Sequence, residues 1–347
     1  MGVNHLEKVQ LEGKAALSDE PFFIFGCARS GTSLLSRMLN SHPKLAVPYE
    51  SHLFNTFYPW LKYYGDLSVR ANLERLVDDI LRTDVMQDWT PPLDRGEILS
   101  SVRTPDFGGV MDAVMCSWAS KQNKSRWGEK TPHHIYFWDQ ISTFFPKARI
   151  IHIVRDGRDV ALSLLNARFG PKSIYAGARF WVAYLRQVER VKAQVDKRRI
   201  FELRYEELLA APERLLSQVC EFLGEDYTPA MLEYHKTGTN YKTDKHNQEN
   251  LKKPVLSDNK EKWRTRMTPD DLRVFEAVAG EMLLRYGYET ALQNPQISAS
   301  EVFYRRYVES LSKKGYALLR NRKGHRDALI RMGILARLVI RNKFRGN

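Results

Sequence analysis

Two segments of this chain place phosphate-binding chemistry directly after a run of apolar residues. In the first, Gly26-Cys27-Ala28-Arg29-Ser30-Gly31-Thr32-Ser33 has the form G-x-x-x-x-G. A loop of that form between a strand and a helix turns successive backbone N–H groups inward. The helix N-terminus adds partial positive charge, and together they hold a phosphate. A nucleotide triphosphatase needs Lys after the last Gly to reach the β- and γ-phosphates, with the next hydroxyl on Mg²⁺. Here Thr32 stands at the lysine position and the cation, Arg29, lies inside the loop. Arg29, Ser30, Gly31, Thr32 and Ser33 are therefore candidate ligand-holding residues. The alternative is a tight strand-to-helix turn without a ligand.

In the second segment, ARIIHIV (148–154) runs straight into Arg155-Asp156-Gly157-Arg158-Asp159, with Ser163 eight residues after Arg155. Two helical turns span about 7 residues, so Ser163 returns near the face that Arg155 begins. Arginine supplies a planar fork for phosphate oxygens and serine a neutral donor. Arg155 could instead pair with Asp159 at the start of the helix while Ser163 merely packs. With a phosphate loop already present on another strand, a ligand carrying two separate phosphates is the better explanation.

These loops need strands and helices to hold them. PFFIFG (21–26), ARIIHIV (148–154) and RIFELRY (199–205) read as buried strands, and helical periodicity marks 33–40, 66–84, 108–122, 133–145, 155–169, 175–198, 206–223 and 269–286. Strands separated by helices predict an α/β fold, a central parallel sheet flanked by helices in a three-layer sandwich like that of P-loop NTPases. Ligands of such sheets sit at the carboxyl ends of the strands. Residues 1–20 read as a loose leader, 21–290 as the catalytic domain and 291–347 as a basic helical extension.

An apolar fraction of 43% with 27% charged residues excludes a largely disordered chain. The three cysteines, Cys27, Cys116 and Cys220, form neither a disulfide framework nor metal-ligand spacing, which suits a reducing compartment. Neither a secretory signal nor a run of about 20 apolar residues is present, so a cytoplasmic protein is expected. Of the net charge of +13, residues 303–347 carry +11, thirteen Lys and Arg against Glu309 and Asp327. The body is nearly neutral, which argues against a nucleic-acid-binding core. In the tail, residues 326–341 resemble a basic amphipathic helix, fit to lie on an anionic membrane surface or to dock on the body or a partner. Ile334 and Leu338 interrupt its polar arc, while Phe303, Tyr304, Tyr307 and Leu311 form an apolar stripe that could dock on the body. The oligomeric state is not legible.

The pair CARSGTSLL and IHIVRDGRDVALSLL resembles the signature of sulfotransferases that use 3′-phosphoadenosine 5′-phosphosulfate (PAPS). The resemblance runs from about Pro21 to Tyr288 and is nearest the branch of tyrosylprotein and many bacterial sulfotransferases. It implies that the first loop holds the 5′-phosphosulfate and that Arg155 and Ser163 hold the 3′-phosphate. In that branch a His-Pro turn, here His42-Pro43, precedes a glutamate base, here Glu50. Lys130 of Glu129-Lys130-Thr131-Pro132 matches the lysine on the bridging oxygen. Tyr205 of Leu203-Arg204-Tyr205-Glu206 matches a tyrosine near the adenosine. Lys252-Lys253-Pro254-Val255 with Lys262-Trp263 matches the late loop whose lysine, here Lys262, closes over the 5′-phosphate. Two features depart from relatives. The histidine of the cytosolic branch falls on Pro132, with His133 and His134 out of register, and a second 3′-phosphate arginine falls on Ala167, for which Arg168 is a substitute.

The expected reaction is in-line sulfuryl transfer from PAPS to an acceptor hydroxyl, with release of 3′,5′-diphosphoadenosine. Glu50 takes the proton, Lys130 and Arg29 neutralise the leaving side with Lys262 assisting, and no metal is required. His52 is a second candidate base, while a solvated Glu50 and a Lys130–Glu129 ion pair are the bland alternatives. Six aromatics follow the base, Phe54, Phe57, Tyr58, Trp60, Tyr63 and Tyr64, suiting sugar faces, phenols or acyl chains, although any of them could be core. A carbohydrate or glycolipid acceptor is favoured because membrane apposition would explain the tail. The competing readings are an ATP-dependent P-loop kinase and a non-enzymatic membrane-tethering module.

Overall fold

The structure is a computed structural model in which residues 20–167, 170–238, 249–309 and 322–344 are described. Five strands, β1 (Phe22–Phe25), β2 (Leu45–Ala46), β3 (Arg126–Glu129), β4 (Arg149–Val154) and β5 (Ile200–Arg204), form one parallel sheet in the order β2-β3-β1-β4-β5. Side chains alternate along each strand and both faces are covered. Phe22 and Ile24 of β1 and Ile151 and Ile153 of β4 face one core, while Phe23, Phe25, Ile150 and Val154 face the other. The smaller layer is α1 (Thr32–Asn40) with the helices Tyr205–Ala210 and Pro212–Leu223. The larger is α2 (Phe107–Ser120), α3 (Gly157–Asn166), α4 (Ile174–Gln194) and α5 (Pro269–Arg285). This is the three-layer α/β sandwich that the sequence pattern predicts.

Strand order places the two loaded loops together. β1 and β4 are hydrogen-bonded neighbours, Phe25 opposite His152, so the loops that leave their carboxyl ends start one strand spacing apart, about 4.8 Å. From β1 the chain turns towards β2, and from β4 towards β5. The crevice between them is the switch point at which open α/β sheets bind ligands.

Several elements differ from the sequence reading. β2 and β3 were not expected, and 206–223 is two helices because Pro212 opens a new one after Ala211. Residues 133–145 are a 3-10 turn, Pro132–Phe137, followed by the helix Trp138–Phe144. Phe303, Tyr304 and Tyr307 do not dock as a stripe: all three are exposed, and the segment is tied down by Arg305 to Asp270 and Glu301 instead. Leu311 lies outside the described residues.

The last helix, α6 (Arg322–Phe344), packs on the aromatic segment Tyr58–Tyr63. Ile334 and Leu338, the residues that interrupt its polar arc, are its buried ones. Arg337 reaches Asp79 at 3.4 Å, a buried carboxylate that also accepts from the Tyr64 hydroxyl at 3.1 Å. Leu329, Met332, Val339 and Ile340 remain exposed. Burying one aliphatic side chain contributes about 1.5–3 kcal/mol. Ile334→Asp should therefore release α6 and raise amide exchange across residues 328–341 by about tenfold to a hundredfold, while exchange in β1 and β4 stays as in the wild type. Unchanged exchange in α6 would show that Ile334 is not what holds it.

Candidate active site

The loop after β1 is shaped for an anion. Gly31 has φ +92°, and a Cβ there would lie 2.3 Å from the Tyr205 ring, so only glycine lets the loop pass. Arg29 also takes a left-handed backbone, φ 76°. α1, whose N-cap is Gly31, has no side-chain cap and carries no acid in its first turn. Its first N–H groups are left for a ligand. The Ser30 hydroxyl is buried and makes no hydrogen bond. Together these features fit a phosphate-like group.

The second junction joins the first directly. Arg29 Nε donates to Ser163 Oγ at 2.9 Å, and Arg155 Nη1 to the Arg29 carbonyl at 3.3 Å. Arg155 also makes the helix-start pair with Asp159, 3.1 Å, but Ser163 does more than pack. The guanidinium of Arg155 lies 4.5 Å from the centre of the Tyr205 ring, and its Nε is buried without a partner. Burial and the neighbouring Arg155 charge both push the Arg29 pKa down. A buried cation, Arg155, and a half-buried one, Arg29, this close call for anionic charge between them.

The late segment closes on the same crevice. Asn259 accepts from Arg155 through its carbonyl at 3.1 Å and donates through Nδ2 to the Tyr205 hydroxyl at 2.8 Å. Trp263 N donates to Asp159 Oδ1 at 2.9 Å, and the Trp263 ring lies 3.5 Å from the Arg158 guanidinium. Lys262, beside this anchor, is half-buried; its carbonyl accepts from Thr265 Oγ1 at 3.3 Å and Arg266 N at 3.0 Å. Ala167 ends the described part of its loop, and Arg168 lies outside the described residues.

Glu50 and Lys130 meet. Lys130 Nζ is 2.5 Å from Glu50 Oε1 and 3.4 Å from Ser33 Oγ of the phosphate loop, and its side chain is 2% exposed. The pairing of Lys130 with Glu129 considered from the sequence does not occur. His52 Nε2 lies 3.3 Å from Glu50 Oε2, as a partner of that carboxylate. Burial pushes the Glu50 carboxyl up, but the Lys130 charge and the His52 contact outweigh it and hold the group far below the usual carboxylate range.

A residue given no site role in the sequence reading fixes this pair. Glu129, wholly buried at the end of β3, accepts from Ser51 N and Oγ (3.3 and 2.8 Å), Thr131 N and Oγ1 (3.0 and 2.6 Å) and His134 Nδ1 (2.9 Å). His134 Nε2 lies 3.3 Å from Phe54 N, so the ring ties the buried carboxylate to the start of the aromatic segment. His134 is thus a strut and His133 is exposed; neither reaches Glu50 as a base. Phe54, Phe57 and Tyr64 are core, whereas Trp60 is 37% exposed with Tyr63 stacked 6.0 Å away. Among the described residues no cluster of three metal-ligating side chains exists.

Residues 21–229 match the model of the sulfotransferase family. The chain belongs to the sulfotransferase family. A protein of Aquifex aeolicus is 28% identical over 269 residues, 74% of this chain, and the chain spans about a third, 32%, of that relative's length. Protein-tyrosine sulfotransferase 2 of Gallus gallus is 21% identical over 314 residues, 87% of this chain and 78% of that protein. The sulfotransferase domain of the Synechococcus PCC 7002 olefin synthase superposes with a TM-score of 0.55 at 22% identity, covering 79% of this chain and 98% of the domain. The fold is therefore that of a sulfotransferase, and the reaction class is sulfuryl transfer. The kinase and tethering readings give way to it.

Burial raises the Glu129 pKa, but the His134 contact and the hydroxyl donors outweigh it and bring it down to about 2, against 4.5 when free. A depressed carboxylate contributes stability that is present above the unfolded value and lost as pH falls through the folded one. Wild-type melting temperature should drop between about pH 4.5 and 2 more steeply than that of Glu129→Gln. At neutral pH the variant should lose about 2–3 kcal/mol, because donors are left facing an amide. Parallel pH curves for the two proteins would exclude this role.

Proposed function

We propose that the chain transfers the sulfuryl group of PAPS in line to an acceptor hydroxyl, with Glu50 as general base and 3′,5′-diphosphoadenosine as product. The observation that carries this reading is the contiguous run Glu50–Lys130–Ser33, in which one buried lysine links the candidate base to the phosphate loop. Arg29 and the free first-turn N–H groups of α1 suit the 5′-phosphosulfate. Arg155 and Ser163 suit the 3′-phosphate, and Tyr205, wedged between Gly31 and Asn259, suits the nucleoside side of the crevice. Charge builds on the bridging oxygen as the bond to sulfur breaks, and Lys130 and Arg29 are the cations within reach of the loop. Lys262, one residue before Trp263 in the late segment, is the further cation this reading assigns to the 5′-phosphate side.

The resting ion pair gives donor binding a second effect. While Lys130 neutralises Glu50, the carboxylate is a weak base. An anionic donor in the loop competes for the same ammonium, and as its hold on Glu50 loosens, the carboxyl rises towards its ordinary range and becomes a stronger base. The acceptor is a hydroxyl compound, and a carbohydrate or glycolipid is the class this reading favours.

Glu50→Gln should abolish turnover, by 10²-fold or more, while 3′,5′-diphosphoadenosine binds within a few-fold of wild type in calorimetry. In the wild type the acid limb of kcat, which reports the loaded enzyme, should lie at higher pH than that of kcat/KM, which reports the free one. Retained turnover in Glu50→Gln would move the base elsewhere. Arg155→Ala should weaken 3′,5′-diphosphoadenosine by about 1.5–3 kcal/mol and adenosine 5′-phosphosulfate, which lacks the 3′-phosphate, far less. Equal losses for both would remove the 3′-phosphate assignment.

A further inference from the structure

The Glu129 network ties the turn after Lys130 to the stretch that carries Glu50. Sulfuryl transfer also needs Lys130 at a fixed distance from the phosphate loop, and the sheet sets that distance only part of the way. β1 and β3 pair with Phe22 opposite Gly128 and Phe23 opposite Glu129, and their ladder ends there. Past it the chain leaves β3 for the turn Pro132–Phe137, and the Lys130–Ser33 contact across the gap is long, 3.4 Å.

Tyr184 of α4 bridges the gap. Its buried hydroxyl accepts from Gly26 N, at the first residue of the phosphate loop, at 3.0 Å. It donates its one proton to the carbonyl of Pro132, two residues after Lys130, also at 3.0 Å. A backbone N–H only donates and a carbonyl only accepts, so the direction of both bonds is fixed. Burial holds the phenol pKa well above its ordinary value, so the proton stays. A direct ladder bond would draw the two chains together; one inserted oxygen keeps them apart.

The same face of α4 repeats the contact on either side. Trp181 Nε1 donates to the Arg155 carbonyl at 3.1 Å, and Gln187 Nε2 to the Ile135 carbonyl at 3.2 Å. Positions spaced by three rise about 4.5 Å along a helix, close to the spacing of about 4.8 Å between strands. Successive contacts along α4 therefore meet the chain beyond β4, β1 and β3, which are neighbours in the sheet.

We propose that Tyr184 is a positioning residue for sulfuryl transfer: its hydroxyl sets the separation of the phosphate loop from Lys130, and α4 is the gauge that registers the loop, the lysine and the Arg155 junction against one another. The inference rests on the sulfuryl-transfer reading and adds to it a helix that stands behind the reacting groups. Its contacts divide the work. Arg29 is hydrogen-bonded to both Ser163 and Arg155 without help from Tyr184, so nucleotide binding does not need the bridge. Transfer does need it, since a misplacement of about 1 Å can lose about 10²-fold in rate.

The test compares Tyr184→Phe, which keeps the ring and loses the bridge, with Trp181→Phe, both in the full-length chain. Turnover is read as release of 3′,5′-diphosphoadenosine from PAPS, with octyl β-D-glucoside as the hydroxyl probe. Rates are expressed per nucleotide site titrated, so unfolded protein does not enter kcat. Tyr184→Phe should lower kcat about tenfold or more, while KM for PAPS and Kd for 3′,5′-diphosphoadenosine stay within about threefold. Trp181→Phe should weaken 3′,5′-diphosphoadenosine about fivefold or more and leave adenosine 5′-phosphosulfate within about twofold. In a Lys130→Ala background, adding Tyr184→Phe should lower kcat less than about twofold, because the lysine it positions is gone. A lowered melting temperature with unchanged kcat, equal losses of kcat and nucleotide affinity, or full additivity with Lys130→Ala would overturn the proposal. Should Tyr184→Phe not fold, Gln187→Ala, which breaks one bond to the same turn, should show the same split at about threefold. No split there would equally overturn it. A wild-type melting temperature that 3′,5′-diphosphoadenosine does not raise would count against the sulfuryl-transfer reading itself.

Discussion

The position of every reacting group around Glu50 depends on how Glu129 is satisfied. A carboxylate with no solvent exposure is tolerable only if its oxygens are filled, and here five donors converge on them from Ser51, Thr131 and His134. Those donors are not scattered. Ser51 follows Glu50, Thr131 follows Lys130, and His134 accepts from the backbone of Phe54, where the aromatic segment begins. Satisfying one buried charge therefore fixes the segment that carries the base, the strand end that carries the lysine, and the start of the aromatic segment that α6 covers. The chain must order two separate stretches, Glu50–Phe54 and Glu129–His134, to do this, and it gains a pair, Glu50 and Lys130, whose spacing no single element could hold.

The sheet does the same for the anion side. Because β1 and β4 are neighbours and their connections diverge, two loops meet over one crevice. Arg29 and Arg155 come together there in spite of their like charge. Asp159 pairs with one of them, and Ser163 accepts from the other. This is a partial settlement: Arg155 Nε and Ser30 Oγ remain buried and unpaired. Stability alone would favour filling them with protein partners. A site kept open at that cost is preorganised for the charges of a nucleotide, with little left to rearrange when it arrives.

How much of this the sequence carried depends on whether a signal was local. Arg29 to Ser33, Arg155 and Ser163 stood out because a glycine-spaced loop and an eight-residue spacing are local patterns, and in the structure Arg29 bridges the two by contacting Ser163 and Arg155. β3 was not legible, because Arg-Trp-Gly-Glu has neither alternation nor β-branched residues and is a strand only because β1 and β2 pair with it. Glu129 and His134 were missed for the same reason: their role lies in contacts between residues up to 80 positions apart. The aromatic run was visible as a run, but its division into core and surface was not. Ile334 and Leu338 looked like faults in an amphipathic helix, and the fault was the signal: they are the docked face.

That docked face bears on why the C-terminal extension belongs to this fold at all. The helix buries Ile334 and Leu338 in the larger core and reaches Asp79 through Arg337, while Leu329, Val339 and Ile340 stay exposed. Those two residues are members of the larger core, so the extension is part of the folded domain, and its removal would leave the aromatic segment Tyr58–Tyr63 without a cover. The segment it covers follows Glu50 by eight residues, so the C-terminal helix and the stretch that carries the base are joined through one short run of chain, the start of which Glu129 and His134 hold in place.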